Sequence, residues 1–248
     1  MPATVERYRS SIAALHRAAG LSNPCVDEIV RLAIRRMNRA KGRRQKQAEP
    51  LNRASVERMI VAQAPESSRL LGLRDAALVA VAYDTLLRRS ELVSLRIEDL
   101  ARAEDGSGSV LVRRSKGDQE GEGAVKYLAP DTMTHVDAWL AAAALTSGPL
   151  FRPVVKGGRA GATALEDQEV RRLFRKLAAL GNVRLARPPS GHSTRVGAAQ
   201  DMIAAGLELG EVMQAGSWKT VTMPARYAER LLARRGAARK LAILQNRA

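Results

Sequence analysis

Residues 190–197 read Ser190-Gly-His-Ser-Thr-Arg-Val-Gly197, between a stiff Arg187-Pro-Pro-Ser loop and a helix of small residues. His192 and Arg195 stand three apart, so on that helix they share a face. A planar guanidinium beside an imidazole, at a helix N-terminus whose backbone N–H groups point outward, suits a phosphate oxygen. Taken alone, these eight residues fit a decorated helix cap better. Other polar groups along the chain change the balance: Arg88 with Glu91 three residues on, Lys116, Trp218 and Tyr227. Arg88 and Glu91 suit a structural ion pair and a rigidly held active-site guanidinium about equally. As a set, two guanidiniums can bracket a phosphodiester and offset the extra negative charge of its pentacovalent transition state. His192 and the Trp218 indole N–H can each donate to a phosphate oxygen. A tyrosine hydroxyl can attack phosphorus once its proton is removed, and a lysine can protonate the leaving 5′ oxygen. That chemistry needs no metal and no other cofactor.

The composition points the same way. The chain has 248 residues, a net charge of +16 and an isoelectric point near 11.0, an imbalance that calls for a polyanionic partner. Nucleic acid is the first candidate and an anionic membrane surface the second. No apolar run reaches the length of a membrane span, and the first residues lack a signal peptide's apolar region. A single cysteine, Cys25, rules out an internal disulfide framework, and the scattered His16, His135 and His192 offer no zinc spacing. These features describe a metal-free, cytoplasmic, nucleic-acid-facing protein. Hydrophobic residues make up 46% of the chain but aromatic ones only 3%, so the core is expected to be aliphatic and mostly helical.

The elements that must position these groups follow from periodicity. Thr4 can cap a first helix with Tyr8, Ile12 and Leu15 at helical spacing, ending near Gly20. Asn23 can cap a second, with Pro24 at its first position and Val26, Ile29 or Val30, Ala33 or Ile34, and Met37 along one stripe. Between residues 31 and 48 there are eight basic residues and no acidic one, a run suited to phosphate contact. Two helices with one apolar stripe each cannot form a stable domain alone. Residues 42–50 read as a polar linker. Helices follow near 54–64 and 73–85, the second almost wholly apolar and so buried. Segments 109–113 and 124–128 read as a hairpin, with Lys116 where its first strand gives way to the turn. A helix from 130 to 144 turns Val136, Trp139 and Leu140 inward. Another, 166–180, buries Val170, Leu173, Phe174 and Leu177 and leaves Gln168, Arg171, Arg172 and Arg175 off that stripe. Such a face can read base edges in a major groove or can simply be solvated. The tail, 228–248, is amphipathic, with Leu231, Leu232, Leu241, Ile243 and Leu244 among arginines, and needs a surface to cover.

Three stretches carry a resemblance: Ala82-Tyr-Asp-Thr-Leu-Leu-Arg88-Arg-Ser-Glu91-Leu, Gly191-His192-Ser-Thr-Arg195-Val-Gly-Ala-Ala-Gln-Asp-Met202, and Glu211-Val-Met-Gln-Ala-Gly-Ser-Trp218 with Tyr227 nine residues later. In this order the set resembles the tyrosine recombinase (phage integrase) family, from about Thr4 to the tail. Many members carry histidine where Trp218 stands, and the Cre-like ones carry tryptophan. The resemblance implies a mainly α fold with a small antiparallel β-sheet, a catalytic domain (51–248) preceded by a partial helical clamp (1–41). By resemblance, Arg88 and Arg195 form the arginine pair with Glu91 as support, and Lys116 is the general acid. His192 and Trp218 are then phosphate ligands, and Tyr227 is the nucleophile that forms a 3′-phosphotyrosine. Thr4 and Arg7 would face a major groove, with Arg35, Arg36, Arg39 and Lys46 on the backbone and Gln168 and Arg172 as further DNA contacts. The implied partners are double-stranded DNA with an inverted-repeat site and a homotetramer whose C-terminal helices dock in trans. Gly191 and the small residues after Arg195 would let the DNA backbone come close. The family's clamp usually has four or more helices, whereas this sequence shows what look like its last two. Type IB topoisomerase-like nicking and closing, a DNA-binding homologue without full activity, and a generic basic RNA-binding protein are the alternatives.

Overall fold

The computed structural model describes residues 2–42, 44, 46–62, 69–115, 118 and 120–247. Two compact units divide the chain, Met1–Gln47 and Ala48–Ala248.

The first unit is a helix pair, α1 (Pro2–Ala18) and α2 (Glu28–Lys41), joined through a 3₁₀ turn at Pro24–Val26. Both expected caps move. Helix α1 already runs from Pro2, which leaves Thr4 inside its first turn. Asn23 caps the 3₁₀ turn, accepting from Cys25 N–H at 3.0 Å. Asp27 then leaves helical geometry (φ −56, ψ 138) and caps α2, accepting from Ile29 N–H at 2.7 Å. A carboxylate one residue ahead of a helix suits its partial positive charge, which is why Asp27 takes over the role. Ile34 is buried, but Tyr8, Ile12, Leu15, Ile29 and Leu32 are all exposed. Two helices give each stripe too little to bury against.

The second unit is built around α4 (Arg69–Thr85), whose residues from Arg74 to Ala82 are all buried. Helices α3 (Arg53–Val61), α6 (Pro130–Ala142) and α8 (Ser193–Ala204) pack against it, as does the strand Ala124–Leu128. The core is aliphatic as the composition requires, with Trp139 and Phe151 its largest side chains and Trp139 Nε1–H donating to Leu150 O at 2.9 Å. Helix α5 (Arg89–Val93) abuts α7 (Asp167–Leu180), and α7 buries the expected Val170, Leu173, Phe174 and Leu177.

The hairpin expectation holds, with one strand added at its edge. Strands β1 (Leu100–Arg102), β2 (Gly108–Val112) and β3 (Ala124–Leu128) form an antiparallel sheet in the order β1-β2-β3. Its register pairs Val110 with Lys126 and Val112 with Ala124. A second pair, β4 (Val154–Val155) with β5 (Arg159–Ala160), closes the 157–161 loop. At three and two residues, β1, β4 and β5 are too short to show an alternation in sequence. The C-terminal part comprises α9 (Leu209–Gly216), α10 (Thr222–Tyr227), α11 (Glu229–Arg235) and α12 (Ala237–Leu244). The amphipathic tail is therefore two helices, interrupted where Gly236 turns extended (φ −72, ψ 179). Leu241, Ile243 and Leu244 on α12 are exposed.

The small residues of α8 have a packing reason rather than the expected one. A Cβ at Gly197 would lie 1.9 Å from Leu51 O, and Ala198 and Ala199 are buried beside Leu86, Ile203 and Val212. Leu51 N–H donates to Ser193 O at 2.9 Å, fixing the segment before α3 against α8. Backbone approach within the protein, not DNA, is what requires glycine at 197. Gly197→Ala is expected to destabilise the second unit by ~3 kcal/mol, because a backbone rather than a flexible side chain must yield. Urea unfolding of the two proteins measures this.

Candidate active site

The site is assembled from the α4–α5 connection, the start of α8, and the α9–α10 region. The chain leaves α4 through Leu86, a buried residue in the left-handed region (φ 53). That bend turns its carbonyl toward α8 and puts Arg88 at the N-cap of α5. Glu91, only 6% exposed, reaches back to the start of the helix and accepts from Arg88 N–H at 2.9 Å. Its other oxygen accepts from Arg88 Nη1 at 2.6 Å. One carboxylate thus fixes both the backbone and the guanidinium of Arg88, so the ion pair is structural and also orients a cation.

Arg195 projects inward from the first turn of α8 and is 3% exposed. Its Nη1 donates to Leu86 O and its Nη2 to Gly216 O, the latter at 2.6 Å. The Trp218 ring covers its guanidinium, with 4.2 Å from Cζ to the centroid. Burial, and then repulsion by Arg88, pull the Arg195 pKa down to about 10, while Tyr227 and Glu91 act the other way. The group stays cationic at neutral pH. Arg88 and Arg195 therefore sense one another as a pair of like charges with one shared carboxylate. An anion would relieve that repulsion.

His192 is the N-cap of α8, its backbone N–H donating to Ser190 Oγ at 3.3 Å. It lies at the mouth of the site, outside the helix, rather than one turn below Arg195 on it. Shielding of the ring and then the cations Arg195, Arg88 and Arg89 hold its pKa below the usual histidine value. A neutral imidazole at neutral pH keeps one N–H to donate. Gly191 fits its Arg89 neighbour, whose Cδ would lie 3.1 Å from an added Cβ.

Trp218 and Tyr227 complete the cluster. Their rings meet edge to face at 5.8 Å and 69°. Tyr227 bears electrostatically on the Arg195 guanidinium, and Gln200 Nε2 donates to Tyr227 O at 2.8 Å, tying α8 to the end of α10. Trp218 follows Ser217, a left-handed residue (φ 51) that ends α9. At Gly216 an added Cβ would fall 2.0 Å from the indole, so glycine there is what lets the ring lie back over Arg195.

Five of the seven residues expected to carry chemistry thus converge as neighbours: Arg88, His192, Arg195, Trp218 and Tyr227, with Glu91 beneath them as support. The seventh, Lys116, falls outside the described residues. The residues expected to meet DNA are placed singly. Thr4 is half-buried in α1, and Arg7 is exposed with its guanidinium 5.6 Å from the Tyr8 ring centroid. Arg35, Arg36 and Arg39 are exposed on α2, where Arg35 lies 4.0 Å from Glu28, and Lys46 is exposed beyond it. Gln168 and Arg172 are exposed one turn apart on α7, and Arg172 pairs with Glu169.

One residue of the site was passed over in the sequence. Lys126 of β3 is 6% exposed, and its Nζ donates to Ala215 O at 2.6 Å, Ser217 Oγ at 2.7 Å and Gln214 O at 3.3 Å. The signal was the strand's alternation: Val125 and Tyr127 face outward, which puts Lys126 on the inner side with Leu128.

Comparison with known proteins bears on the same residues. The model of the phage integrase family matches residues 44–233. The recombinase cre of Escherichia phage P1 is 30% identical over 249 aligned positions, covering 94% of this chain and 72% of the relative. The integrase/recombinase xerD homolog of Selenomonas ruminantium is 32% identical, covering 91% of this chain and 68% of the relative. Among solved structures, the Tn1549 transposon integrase in complex with a circular intermediate DNA has the same fold. Its TM-score is 0.59 at 16% identity, with 90% of this chain and 74% of that one covered. No helix among the described residues is long and apolar enough to cross a membrane. With the matched family spanning both arginines and the tyrosine beside them, this chain belongs to the phage integrase family and is a tyrosine-type site-specific recombinase.

Proposed function

We propose that Tyr227 is the nucleophile of DNA strand exchange. The observation that carries this reading is the grouping of the Tyr227 hydroxyl, the Arg195 guanidinium and the Trp218 ring in one cluster, with Arg88 close enough to repel Arg195. Tyr227 Oη attacks the scissile phosphorus and loses its proton to solvent, the bond from phosphorus to the 5′ oxygen breaks, and that oxygen leaves with a proton from Lys116. The product is a 3′-phosphotyrosine and a free 5′ hydroxyl. Attack by the 5′ hydroxyl of a partner strand reverses the same steps and releases Tyr227, so the phosphodiester energy is conserved. Arg88 and Arg195 bind the non-bridging oxygens, and His192 and the Trp218 indole N–H add donors. In this reading the substrate is double-stranded DNA carrying an inverted repeat, in the cytoplasm of a bacterial host. Arg35, Arg36, Arg39 and Lys46 add phosphate contacts, and Gln168 and Arg172 further DNA contacts. Four subunits act together, each placing the exposed Leu241, Ile243 and Leu244 of α12 on a neighbour.

The test is incubation with a nicked inverted-repeat library. Protein is expected to remain attached to a DNA 3′ end after denaturation, and sequencing of the adducts reads out the site. Relaxation of supercoils with no recombinant product would instead favour topoisomerase-like nicking and closing. Lys116 is checked separately with a bridging 5′-thiolate, a leaving group that needs no acid. Lys116→Ala is expected to slow cleavage of the ordinary site by about 10²–10³-fold and leave the thiolate substrate nearly unaffected. Equal slowing of both would remove Lys116 from that role.

A further inference from the structure

Three consecutive carbonyls at the end of α9 are held by two buried cations from different elements. Gln214 O and Ala215 O accept from Lys126 of β3, and Gly216 O accepts from Arg195 of α8. A helix C-terminus leaves its last carbonyls unpaired and carries partial negative charge. It can therefore hold two like charges side by side where bare solvent-free protein could not. Lys126 also takes Ser217 Oγ, so the three donors of its ammonium are all engaged within the protein. The charged groups that bear on it are Arg195, which repels it, and Glu91, which attracts it. Burial and Arg195 bring its pKa down to about 8. Ser217, gripped through its side chain, is the left-handed residue from which Trp218 departs.

We infer that Lys126 is a positioning residue of the strand-cleavage site. By tying residues 214–217 to the sheet it sets where the Trp218 ring lies, and through that ring the Arg195 guanidinium and the Tyr227 edge. Lys126 touches no reacting atom, and this separates it from the acid role proposed for Lys116. Only the kinetic arm of its test rests on the recombinase reading.

Two readouts test it in the intact chain, using Lys126→Met, Lys126→Arg and Ser217→Ala. The first needs no DNA. Trp218 emission is isolated by subtracting the spectrum of the matching Trp218→Phe protein, which removes the contribution of Trp139. Lys126→Met is expected to shift that emission, and Lys126→Arg to restore most of it. The second is the rate of covalent adduct formation on nicked DNA at saturating protein, measured beside the dissociation constant. Lys126→Met is expected to slow the adduct about 10–10²-fold with the dissociation constant within about twofold, the scale of a small misplacement of reacting groups. Lys126→Arg is expected to recover most of the rate. Unchanged Trp218 emission, or an unchanged adduct rate, in Lys126→Met overturns the inference. So does a loss confined to binding and thermal stability. If Lys126→Met does not fold, Ser217→Ala carries both readouts, with smaller changes of the same sign expected and no change overturning the inference. A wild type that shifts its emission on Lys126 substitution yet forms no adduct would fail the recombinase reading while leaving the positioning role standing.

Discussion

Tyr227→Phe is expected to lower covalent adduct formation by at least about 10³-fold while leaving DNA binding within a few-fold of wild type. A displacement that lacks its nucleophile has no alternative route in the same site, which accounts for the size of the effect. The change is otherwise small. The phenyl ring keeps its edge-to-face contact with Trp218 at 5.8 Å, and the backbone carbonyl still accepts from Gln200. Only the hydroxyl beside Arg195 is lost. Unfolding curves of the two proteins should therefore nearly coincide. Denaturing gels of a nicked substrate check the chemistry, and a Phe variant that still forms the adduct would assign the nucleophile elsewhere.

Arg195→Lys is the second large effect. Lysine keeps the positive charge but has a single point of donation where arginine has a fork. The native guanidinium reaches Leu86 O and Gly216 O at once, lies under the Trp218 ring, and still presents donors to a ligand. A lysine's single nitrogen cannot span two carbonyls that the guanidinium reaches through separate nitrogens, so it must abandon at least one of them and the flat contact with the ring. Loss of a preorganised donor to the transition state sets the expected fall in cleavage rate at about 10²–10³-fold. One of the two carbonyls is left buried without its partner, at an expected cost of about 1–3 kcal/mol in stability. Leu86 and Ser217 aggravate this, because each holds a left-handed conformation on a residue with a Cβ, next to a carbonyl Arg195 binds. Single-turnover cleavage and urea unfolding read the two effects separately. A variant that keeps wild-type cleavage would show that charge alone, not the fork, is what the site requires.

The pH dependence follows from the same burial. The Arg195 pKa of about 10 lies below the ordinary arginine value, so the native state holds that proton less tightly than the unfolded chain does. Below pH 10 the charge therefore works against folding in full, and the penalty is relieved as pH rises through the range between the native and unfolded values. Lys126 behaves alike, from about pH 8 upward. Both are cations the fold retains at neutral pH despite that opposition, and both end on the same helix terminus. A bound phosphodiester would offset the repulsion between Arg88 and Arg195 that the free protein carries.

Much of this was legible in the residues themselves. The helix periodicities, the aliphatic core and the hairpin follow from local pattern, because 3.6- and 2-residue repeats survive without knowledge of the neighbours. The residues that gather around Arg195 were legible as well, since Arg88, His192, Arg195, Trp218 and Tyr227 sit in three specific stretches with few competing readings once taken together. Three things needed the tertiary structure. Asp27 displaces Asn23 as the cap of α2 because a 3₁₀ turn intervenes between them. Gly197 is small because Leu51 crosses it from a segment nearly 150 residues away, so the reason for it lies in a contact between distant parts of the chain. Lys126 is set apart only by the carbonyls at the end of α9 that it binds, which the sequence around it does not show. The opening pair shows the same division: sequence placed His192 and Arg195 three apart and assigned them to an anion, and only packing put one at the mouth of the site and the other beneath Trp218. Side-chain type and spacing determine which chemistry is possible. The burial and charge pairing that hold those groups in place come from elements far apart in the chain, and folding alone brings them together.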